Sequence, residues 1–297
     1  MKIAVIGLGK MGHAIAQKLH DKNFSVIGFD NNPATRDEVA RVGITVVNTV
    51  EQLQADLFWI MVPAGPIVDG VLKDIIPLCT KNTIIVDGGN SFYKDSQRRA
   101  QMIAEHGIAF LDCGTSGGVH GIKDGFCLMV GGLLEQYQKI VSVFEALSRP
   151  HGYAYVGSSG AGHYVKMVHN GIEYGLMQAY AEGLHILRDG TFKDEHLDLA
   201  AITGLWNTNA VIRSFLLQLL HEGLQENQTL ADVSGSVAES GMGIWTDQEA
   251  RLHNIPDPVL TQSLEIRAQS RQTGGNYATK ILSLLRNKFG GHDYKKH

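Results

Sequence analysis

Cysteine is scarce in this chain, and the few cysteines are not spaced as in a disulfide-bonded or zinc-binding protein. The 297 residues contain three, Cys79, Cys113 and Cys127. Their number is odd, and they form neither a Cys-x-x-Cys pair nor metal-ligand spacing to histidine, which argues against a disulfide scaffold or a zinc site. We therefore predict reduced thiols and no bound metal.

The chain also lacks a charge bias and any long hydrophobic run. Its formal net charge is −4 at pH 7, from 26 Lys and Arg against 30 Asp and Glu, without a basic stripe. Nucleic acid is therefore not expected as a partner. The opening run MKIAVIGLGKMG is interrupted by glycine and fits neither a cleaved signal peptide nor a membrane span. A cytoplasmic protein with no membrane partner is predicted.

Two domains of different class are predicted from length and patterning. A chain of 297 residues with 44% hydrophobic content can bury two cores. Short β-branched runs alternate with amphipathic stretches in the first half, which predicts a parallel, doubly wound, Rossmann-like α/β sheet over residues 1–159. After the glycine-serine cluster at 157–162 the strand signals stop, so residues 160–297 are predicted to be all α. The predicted strands are Lys2–Ile6, Ser25–Phe29, Leu57–Val62, Thr83–Asp87, Ala109–Asp112 and Cys127–Val130.

A glycine-rich turn follows the first predicted strand. It has the GxGxxG pattern and leads directly into the helical pattern Met11–Leu19. In this setting glycines let backbone N–H groups and a helix N-terminus approach a pyrophosphate. Ordinary strand-to-helix turns can show the same pattern, but this context favours a dinucleotide and hence a dehydrogenase. The cofactor-binding residues predicted here are Gly7, Leu8, Gly9, Lys10, Met11 and Gly12.

The end of the second predicted strand bears on the choice between NAD and NADP. Asp30 stands there, where a carboxylate can accept hydrogen bonds from ribose hydroxyls and would repel a 2′-phosphate. NAD is favoured, and NADP stays possible because Arg36 is near. Alternatively, Asp30 only caps the next helix together with Asn31 and Asn32. We count Asn31 with Asp30 as a cofactor-binding candidate.

Two later strand ends are predicted to complete the cofactor pocket. Met61, Val62 and Pro63 follow one strand, and the loop 88–91, which contains Asn90, follows the next. Ligands in open α/β sheets sit at the carboxyl edge of the strands. We therefore predict that both segments line the nicotinamide pocket.

Five polar residues share one face of a predicted helix. Lys166, His169, Asn170, Glu173 and Tyr174 are spaced so that, at about 100° per residue, they fall on one side. The same face becomes apolar further on, which predicts burial, and a buried lysine and glutamate need partners or a ligand. Such a lysine can serve as a base and such a carboxyl as an acid. The alternative is a solvated polar face opposite the apolar stripe Val165, Val168, Ile172 and Leu176.

Four segments, in order, resemble the 6-phosphogluconate dehydrogenases. They are IVDGGNS at 85–91, DCGTSGG at 112–118, GAGHYVKMVHNGIEYG at 160–175 and RNKFGGH at 286–292. The length is similar to the short, bacterial, often NAD-using form. The resemblance implies oxidative decarboxylation of 6-phospho-D-gluconate to D-ribulose 5-phosphate and carbon dioxide, a step of gluconate utilisation and the pentose phosphate pathway. It also implies a C-terminal domain for substrate binding and dimerisation.

The resemblance implies roles for individual residues. Lys166 matches the family's general base and Glu173 its general acid, while His169 and Asn170 match positions that orient the substrate. The tail that carries Arg286 matches one that enters a partner subunit's active site, which implies a homodimer or homotetramer with tail exchange. The substrate-binding residues implied in this way are Asn90, Ser116, Gly117, Gly118, Tyr174, Arg267, Arg286 and His292.

One segment departs from the pattern of the longer enzymes. Residues 240–245 read SGMGIW, where those enzymes have a lysine before the first glycine and a threonine between the two. Two phosphate ligands are therefore missing, or replaced by the Ser240 hydroxyl or a nearby basic residue. A non-decarboxylating β-hydroxyacid dehydrogenase of the hydroxyisobutyrate type is the alternative function. A nucleotide-sensing protein without turnover is a further, more distant one.

Overall fold

The computed structural model describes residues 1–239 and 241–294, apart from the side chain of Val119. Two compact units divide the chain, Met1–Lys166 and Met167–His297. Strands and helices build the first unit and helices the second, so the predicted Rossmann-like α/β domain followed by an all-α domain is confirmed. Among the described residues, no helix is both long and apolar enough to cross a membrane.

The first unit contains one eight-stranded sheet with the order β3-β2-β1-β4-β5-β6-β7-β8. Its central strands are buried along nearly their whole length, because helices cover both faces of the sheet. This burial explains why those strands read as continuous apolar runs in the sequence. The strands are β1 Lys2–Ile6, β2 Ser25–Phe29, β3 Thr45–Val46, β4 Leu57–Ile60, β5 Ile84–Asp87, β6 Ala109–Ser116, β7 Phe126–Gly132 and β8 Ser148–Gly157.

The sheet departs from the predicted parallel arrangement at one pair of strands. Strand β7 runs antiparallel to β6, with Cys113 opposite Val130. Residues 117–125 join these strands, and this connection is too short for the crossover of a dozen or more residues that parallel strands need. Strand β8 was not predicted, because it is an edge strand whose residues are mostly half-buried or exposed and carry no apolar run.

Thirteen α-helices lie in the described ranges. Prediction placed a helical pattern at Met11–Leu19, and the helix there extends over Lys10–Asp21. The helices are α1 Lys10–Asp21, α2 Pro33–Arg41, α3 Pro66–Ile75, α4 Tyr93–Ala104, α5 Gly121–Asp124, α6 Leu134–Lys139, α7 Val141–Leu147, α8 Ala161–Asp189, α9 Leu199–Asn209, α10 Phe215–Glu226, α11 Met242–Leu252, α12 Pro258–Thr273 and α13 Tyr277–Gly290.

The first turn of α8 is fixed to the sheet. The two carboxylate oxygens of Asp112, on β6, accept hydrogen bonds from the backbone N–H groups of Gly160 at 2.6 Å and His163 at 2.9 Å. Gly162 leaves no room for a side chain, because a Cβ there would lie 2.4 Å from the Met129 carbonyl oxygen. The compact units consequently divide after Lys166, whereas the sequence placed the boundary between residues 159 and 160.

The three cysteines are free thiols. Burial raises the pKa of Cys79 to about 11, and burial likewise raises the pKa of Cys113. Within 1–239 and 241–294, no group of three or more His, Cys, Asp or Glu side chains has the arrangement of a metal site.

Candidate active site

The glycine turn after β1 excludes side chains at two of its positions. A Cβ at Gly7, where φ is +87°, would lie 2.6 Å from the Met61 carbonyl oxygen, and one at Gly12 would lie 1.8 Å from the Gly7 carbonyl oxygen. Gly9 has open space instead, and it precedes α1, whose first turn carries no acidic residue. The positive end of the helix is therefore available to an anion, and the turn fits a dinucleotide pyrophosphate.

Asp30 bonds both to the glycine turn and to the start of the helix that follows it, where Arg36 donates a hydrogen bond to the Asp30 carbonyl oxygen at 2.7 Å. The Asp30 Oδ2 accepts a hydrogen bond from the Leu8 N–H at 2.7 Å, and its Oδ1 accepts one from the Asn32 N–H at 2.8 Å. Asn32 is the N-cap of α2 and accepts from the Ala34 N–H, so the capping alternative belongs to Asn32. A carboxylate has about four acceptor positions, which leaves Asp30 able to bind ribose hydroxyls as well.

The loops after β4 and β5 lie against each other. A Cβ at Gly89 would be 3.1 Å from the Val62 carbonyl oxygen, and one at Gly88 would be 2.9 Å from the Met61 sulfur. Pro63 and Asn90 are exposed beyond these contacts. The two segments that prediction assigned to the nicotinamide pocket are thus brought together at the carboxyl edge of the sheet.

Sequence reasoning missed Arg99, whose side chain lies between these two loops. It projects from α4 and is fully buried, with hydrogen bonds to Asp69 and Gly65 after β4 and to Asp87 and Ser91 after β5. The sequence shows Arg99 only as the second of two adjacent arginines on a polar helix. The spacing of polar and apolar residues along this helix does not distinguish Arg99 from its exposed neighbour Arg98.

The hydrogen bonds between Asp69 and Arg99 can be tested by the pH dependence of the protein's stability. A hydrogen bond from Arg99 and a further one from Arg98 hold the pKa of the Asp69 carboxyl below the usual range. A carboxyl of this kind stabilises the fold above its unfolded pKa of about 3.9 and loses that contribution as pH falls through the folded pKa. Asp69→Asn should therefore lower the urea midpoint at neutral pH, and its difference from the wild type should shrink in acid.

The control for that measurement is Asp95→Asn, because the ion pair of Asp95 within the described part of the chain is with the exposed Arg98, at 3.4 Å. Its urea midpoint should stay close to the wild-type value throughout. A difference between Asp69→Asn and the wild type that remained constant from neutral pH to below about pH 4 would contradict the assignment.

The polar face of α8 is more buried than the apolar stripe opposite. Lys166 and Tyr174 are each 6% exposed, whereas Ile172 is 62% and Leu176 45% exposed. The side chains of Glu173 and His169 are 18% and 41% exposed, so the face is buried or half-buried and the alternative of a solvated polar face is wrong. Lys166 packs on Gly114 of β6, since a Cβ at residue 114 would be 2.4 Å from the lysine Cβ. One or two turns further along, the Nδ1 atom of His169 lies 3.2 Å from the Asn170 Oδ1 and 3.9 Å from the Glu173 Oε2.

The turn after β6 has positive φ angles, a backbone conformation that glycine adopts without strain. Ser116 ends the strand opposite Cys127, and Gly117 and Gly118 follow with φ of +123° and +50°. A β-branched residue in this left-handed region is strained. The three predicted substrate-binding positions therefore form one tight turn at the end of β6.

In the second unit, a buried arginine cluster assembles from three helices. Arg267 of α12 is 0% exposed and its guanidinium carbon lies 3.6 Å from the centroid of the Tyr174 ring. All three of its guanidinium nitrogens lack a hydrogen-bond partner among the described residues. Burial lowers the pKa of Arg267, and the positive charge of the nearby Arg286 acts in the same direction. The hydroxyl of Tyr174 donates a hydrogen bond to Glu239, which prediction did not identify.

The two residues of the predicted exchanged tail, Arg286 and His292, lie within the last helix and just after it. Arg286 belongs to α13 and is 8% exposed, because the apolar residues around it pack in the core of its own unit. Burial also lowers its pKa. His292 follows the helix and is exposed, with its ring beside Phe289, so Arg286 and His292 do not occupy the same environment. Ser240, the suggested replacement phosphate ligand, lies outside the described residues.

Comparison with known proteins extends over both units. Residues 2–158 match the NAD binding domain of 6-phosphogluconate dehydrogenase, and residues 162–296 match the 6-phosphogluconate dehydrogenase C-terminal domain. An NAD(+)-dependent, decarboxylating 6-phosphogluconate dehydrogenase of Haloferax volcanii is 42% identical over 300 residues, which are 99% of this chain and 98% of that protein.

Solved structures agree at the level of the fold. The 6-phosphogluconate dehydrogenase of Plasmodium falciparum matches with a TM-score of 0.84 at 26% identity, over 97% of this chain and 70% of that one. A 3-hydroxyisobutyrate dehydrogenase of Mycobacterium tuberculosis matches with a TM-score of 0.74 at 20% identity, over 95% and 98%, which shows a shared fold alone. The predicted NAD-binding domain is thereby confirmed, and the chain belongs to the 6-phosphogluconate dehydrogenase family of oxidoreductases.

Proposed function

We propose that this chain converts 6-phospho-D-gluconate to D-ribulose 5-phosphate and carbon dioxide, with NAD as the oxidant. The observation that carries the proposal is the guanidinium of Arg267, which is buried without a hydrogen-bond partner among the described residues. A buried charge left in this state is unfavourable until an anion satisfies it. A phosphate fits because two of its oxygens can accept the fork of the guanidinium, and Arg286 adds a second positive charge nearby.

The residues of the first unit are suited to hold NAD. The glycine turn and the start of α1 would hold the pyrophosphate, Asp30 would hold the adenosine ribose, and the loops 61–63 and 88–91 would hold the nicotinamide end. Bound NAD supplies the acceptor for the hydride that leaves C3 of the sugar acid. The carboxylate of Asp30 would repel a 2′-phosphate, in keeping with the NAD dependence of the Haloferax volcanii relative.

In this proposal Lys166 is the general base. Its amine takes the proton of the 3-hydroxyl as C3 is oxidised, so that a 3-keto acid forms. The ketone then accepts the electron pair of the bond to the carboxylate, which leaves as carbon dioxide. Protonated Lys166 can donate a hydrogen bond to this oxygen and stabilise the negative charge that develops there.

Glu173 is the proposed general acid. Loss of carbon dioxide leaves an enediol, and C1 must gain a proton from a donor other than the base. The Glu173 side chain is 18% exposed, and it lies seven residues after Lys166 on α8, so the two groups can have separate protonation roles. His169 and Asn170, between them on the helix, are proposed to orient the substrate, together with Asn90 and the turn at Ser116.

Replacing Glu173 with glutamine should slow turnover within the range of about 10²–10⁴-fold that general acid–base groups contribute, while substrate still binds. A partial reaction, the exchange of hydrogen between solvent and the product, tests the acid more directly than overall turnover does. Glu173→Gln should slow solvent hydrogen exchange at C1 of ribulose 5-phosphate, because that exchange needs the C1 acid. Glu182→Gln, on the same helix, is the control and should exchange at the wild-type rate. Normal turnover and exchange in Glu173→Gln would remove Glu173 from the mechanism.

The proposed function is tested by initial rates with 6-phosphogluconate and either NAD or NADP, with carbon dioxide release followed in parallel. We expect equal amounts of carbon dioxide and reduced cofactor, and a higher kcat/KM with NAD. Cofactor reduction without carbon dioxide would favour a hydroxyacid dehydrogenase of the hydroxyisobutyrate type. Binding of NAD without turnover would favour a nucleotide-sensing protein.

The oligomeric state and the location in the cell remain predictions. The homodimer or homotetramer is proposed with exchange limited to the segment after Gly291, because Arg286 is buried in its own unit. A cytoplasmic location is proposed on the sequence argument alone.

A further inference from the structure

We propose that Arg99 is a positioning residue for hydride transfer, which fixes the spacing between the loops after β4 and β5. This inference rests on the proposed function, because those loops are the ones assigned to the nicotinamide end of NAD. Arg99 itself is not expected to touch the cofactor or the substrate. Its guanidinium lies beneath the loops, in the interior of the first unit, where its side chain is 0% exposed.

Each nitrogen of this guanidinium bonds to one of the two loops or to the element that borders it, α3 for the first loop and the end of β5 for the second. On the β4 side, Nε donates to Asp69 Oδ1 at 2.9 Å, and Nη2 contacts the Gly65 carbonyl oxygen at 2.9 Å and Asp69 Oδ2 at 3.4 Å. On the β5 side, Nη1 contacts Ser91 Oγ at 3.2 Å and Asp87 Oδ2 at 3.4 Å. The five donors of an arginine are thus shared between two segments that are separate in sequence.

The partners on the β5 side set the shape of the loop that presents Asn90. Asp87 ends β5 and is completely buried, and it accepts hydrogen bonds from the Ser91 hydroxyl at 2.7 Å and from the Gly89 N–H at 3.2 Å. Asp87 therefore closes the loop on itself while Arg99 joins it to the β4 side. A shift of the guanidinium must move Asn90 relative to Met61.

The partners on the β4 side set where α3 begins. Gly65 precedes that helix with φ of +93°, and Asp69 lies in its first turn. A lysine at position 99 would keep the positive charge but could not reach both sides, because a single ammonium lacks the planar fork. Displacement of a reacting group by about 1 Å can reduce a rate on the order of 100-fold, which is why loop spacing matters for the reaction.

The adjacent arginine provides a matched control. Arg98 is on the same helix and also binds Asp69, at 2.9 Å, but its side chain is 52% exposed, and its recorded hydrogen bonds are to Asp69 and Asp95. Arg98→Ala removes a charge and an Asp69 contact without disturbing the bridge. Its kinetic constants should stay within about twofold of the wild type, as expected for an exposed ion pair.

The experiment compares Arg99→Lys with the wild type and Arg98→Ala. For Arg99→Lys we expect kcat to fall on the order of 10–100-fold, with the dissociation constant for NAD little changed, because the glycine turn that binds the pyrophosphate is intact. The primary isotope effect on kcat, measured with substrate deuterated at C3, should rise because hydride transfer becomes slower. A variant that is merely misfolded in part would lose rate without a change in isotope effect.

Hydrogen exchange supplies a readout that does not depend on activity. With NAD bound, the amides of Val62, Ala64 and Gly65 and those of 88–91 should exchange faster in Arg99→Lys than in the wild type or Arg98→Ala. If Arg99→Lys does not fold, Asp69→Asn replaces it, because the Asp69 side chain is partly exposed, and it should show a smaller change in the same direction. Wild-type exchange in both variants, or a rate loss with an unchanged isotope effect, would overturn the proposal.

The two proposals fail in different ways. If the wild-type chain does not turn over 6-phosphogluconate, the proposed function is wrong, and the exchange measurement with NAD still decides whether Arg99 fixes the loops. If the wild type is active and Arg99→Lys matches it in kcat, isotope effect and exchange, the function stands and the positioning role is wrong.

Discussion

Replacing Lys166 with alanine is expected to lower kcat for 6-phosphogluconate by about 10²–10⁴-fold, the range typical of a general base. Dissociation constants for NAD should change little, because the residues assigned to the pyrophosphate lie at the glycine turn. Lys166 is 6% exposed and packs on Gly114, so its position is fixed by the fold of the first unit. Initial rates and calorimetric titration with NAD test both parts of the expectation.

Two further variants separate loss of the amine from loss of packing. Val165→Ala, at the exposed neighbouring position, should retain wild-type kcat. Gly114→Ala should slow the reaction although Lys166 remains, because the new Cβ would lie 2.4 Å from the lysine Cβ and displace it. Thermal unfolding of each variant checks that the fold persists. An unchanged rate in Lys166→Ala would show that the assignment of the base is wrong.

Replacing Arg267 with methionine is expected to have opposite effects on function and stability. Loss of two charge-assisted hydrogen bonds to the phosphate corresponds to about 3 kcal/mol, or on the order of 100-fold in kcat/KM. The ligand-free protein should become more stable by roughly 1–3 kcal/mol, because a buried guanidinium without hydrogen-bond partners is replaced by an apolar side chain of similar length.

The effect should be specific to the phosphate. Activity with gluconate, which lacks that group, should change far less than activity with 6-phosphogluconate. Arg271→Met is the matched control, since Arg271 lies one turn later on α12, is exposed and donates a hydrogen bond to the Val237 carbonyl oxygen at 3.0 Å. It should leave kcat/KM unchanged. Equal losses with both substrates, or a destabilised Arg267→Met, would contradict a phosphate site at Arg267.

The predictions from sequence agree best with the structure where a feature depends on a pattern within a single strand or helix. The central strands appear as predicted because continuous burial requires continuous apolar runs. The polar face of α8 follows from helical spacing alone, and its burial was correctly inferred from the apolar residues that continue the face. The direction of β7 did not follow from the sequence, because the predicted strand ends, Asp112 and Cys127, left a connection long enough for a parallel crossover, and the structure shortens it by extending β6 to Ser116.

The sequence by itself determined the glycine turn, the two fold classes and the family, because each depends on residues close together along the chain. Tertiary structure decided the rest. Asp30 bonds to Leu8 across 22 positions, Arg99 to Gly65 across 34, and Arg267 stacks on Tyr174 from another helix. Whether a charged side chain is buried, and which partners it then has, depends on segments that meet only when the chain folds. Periodicity within one segment contains no record of those partners, so it identified neither the hydrogen bonds of Arg99 nor the lack of hydrogen-bond partners at the Arg267 guanidinium among the described residues.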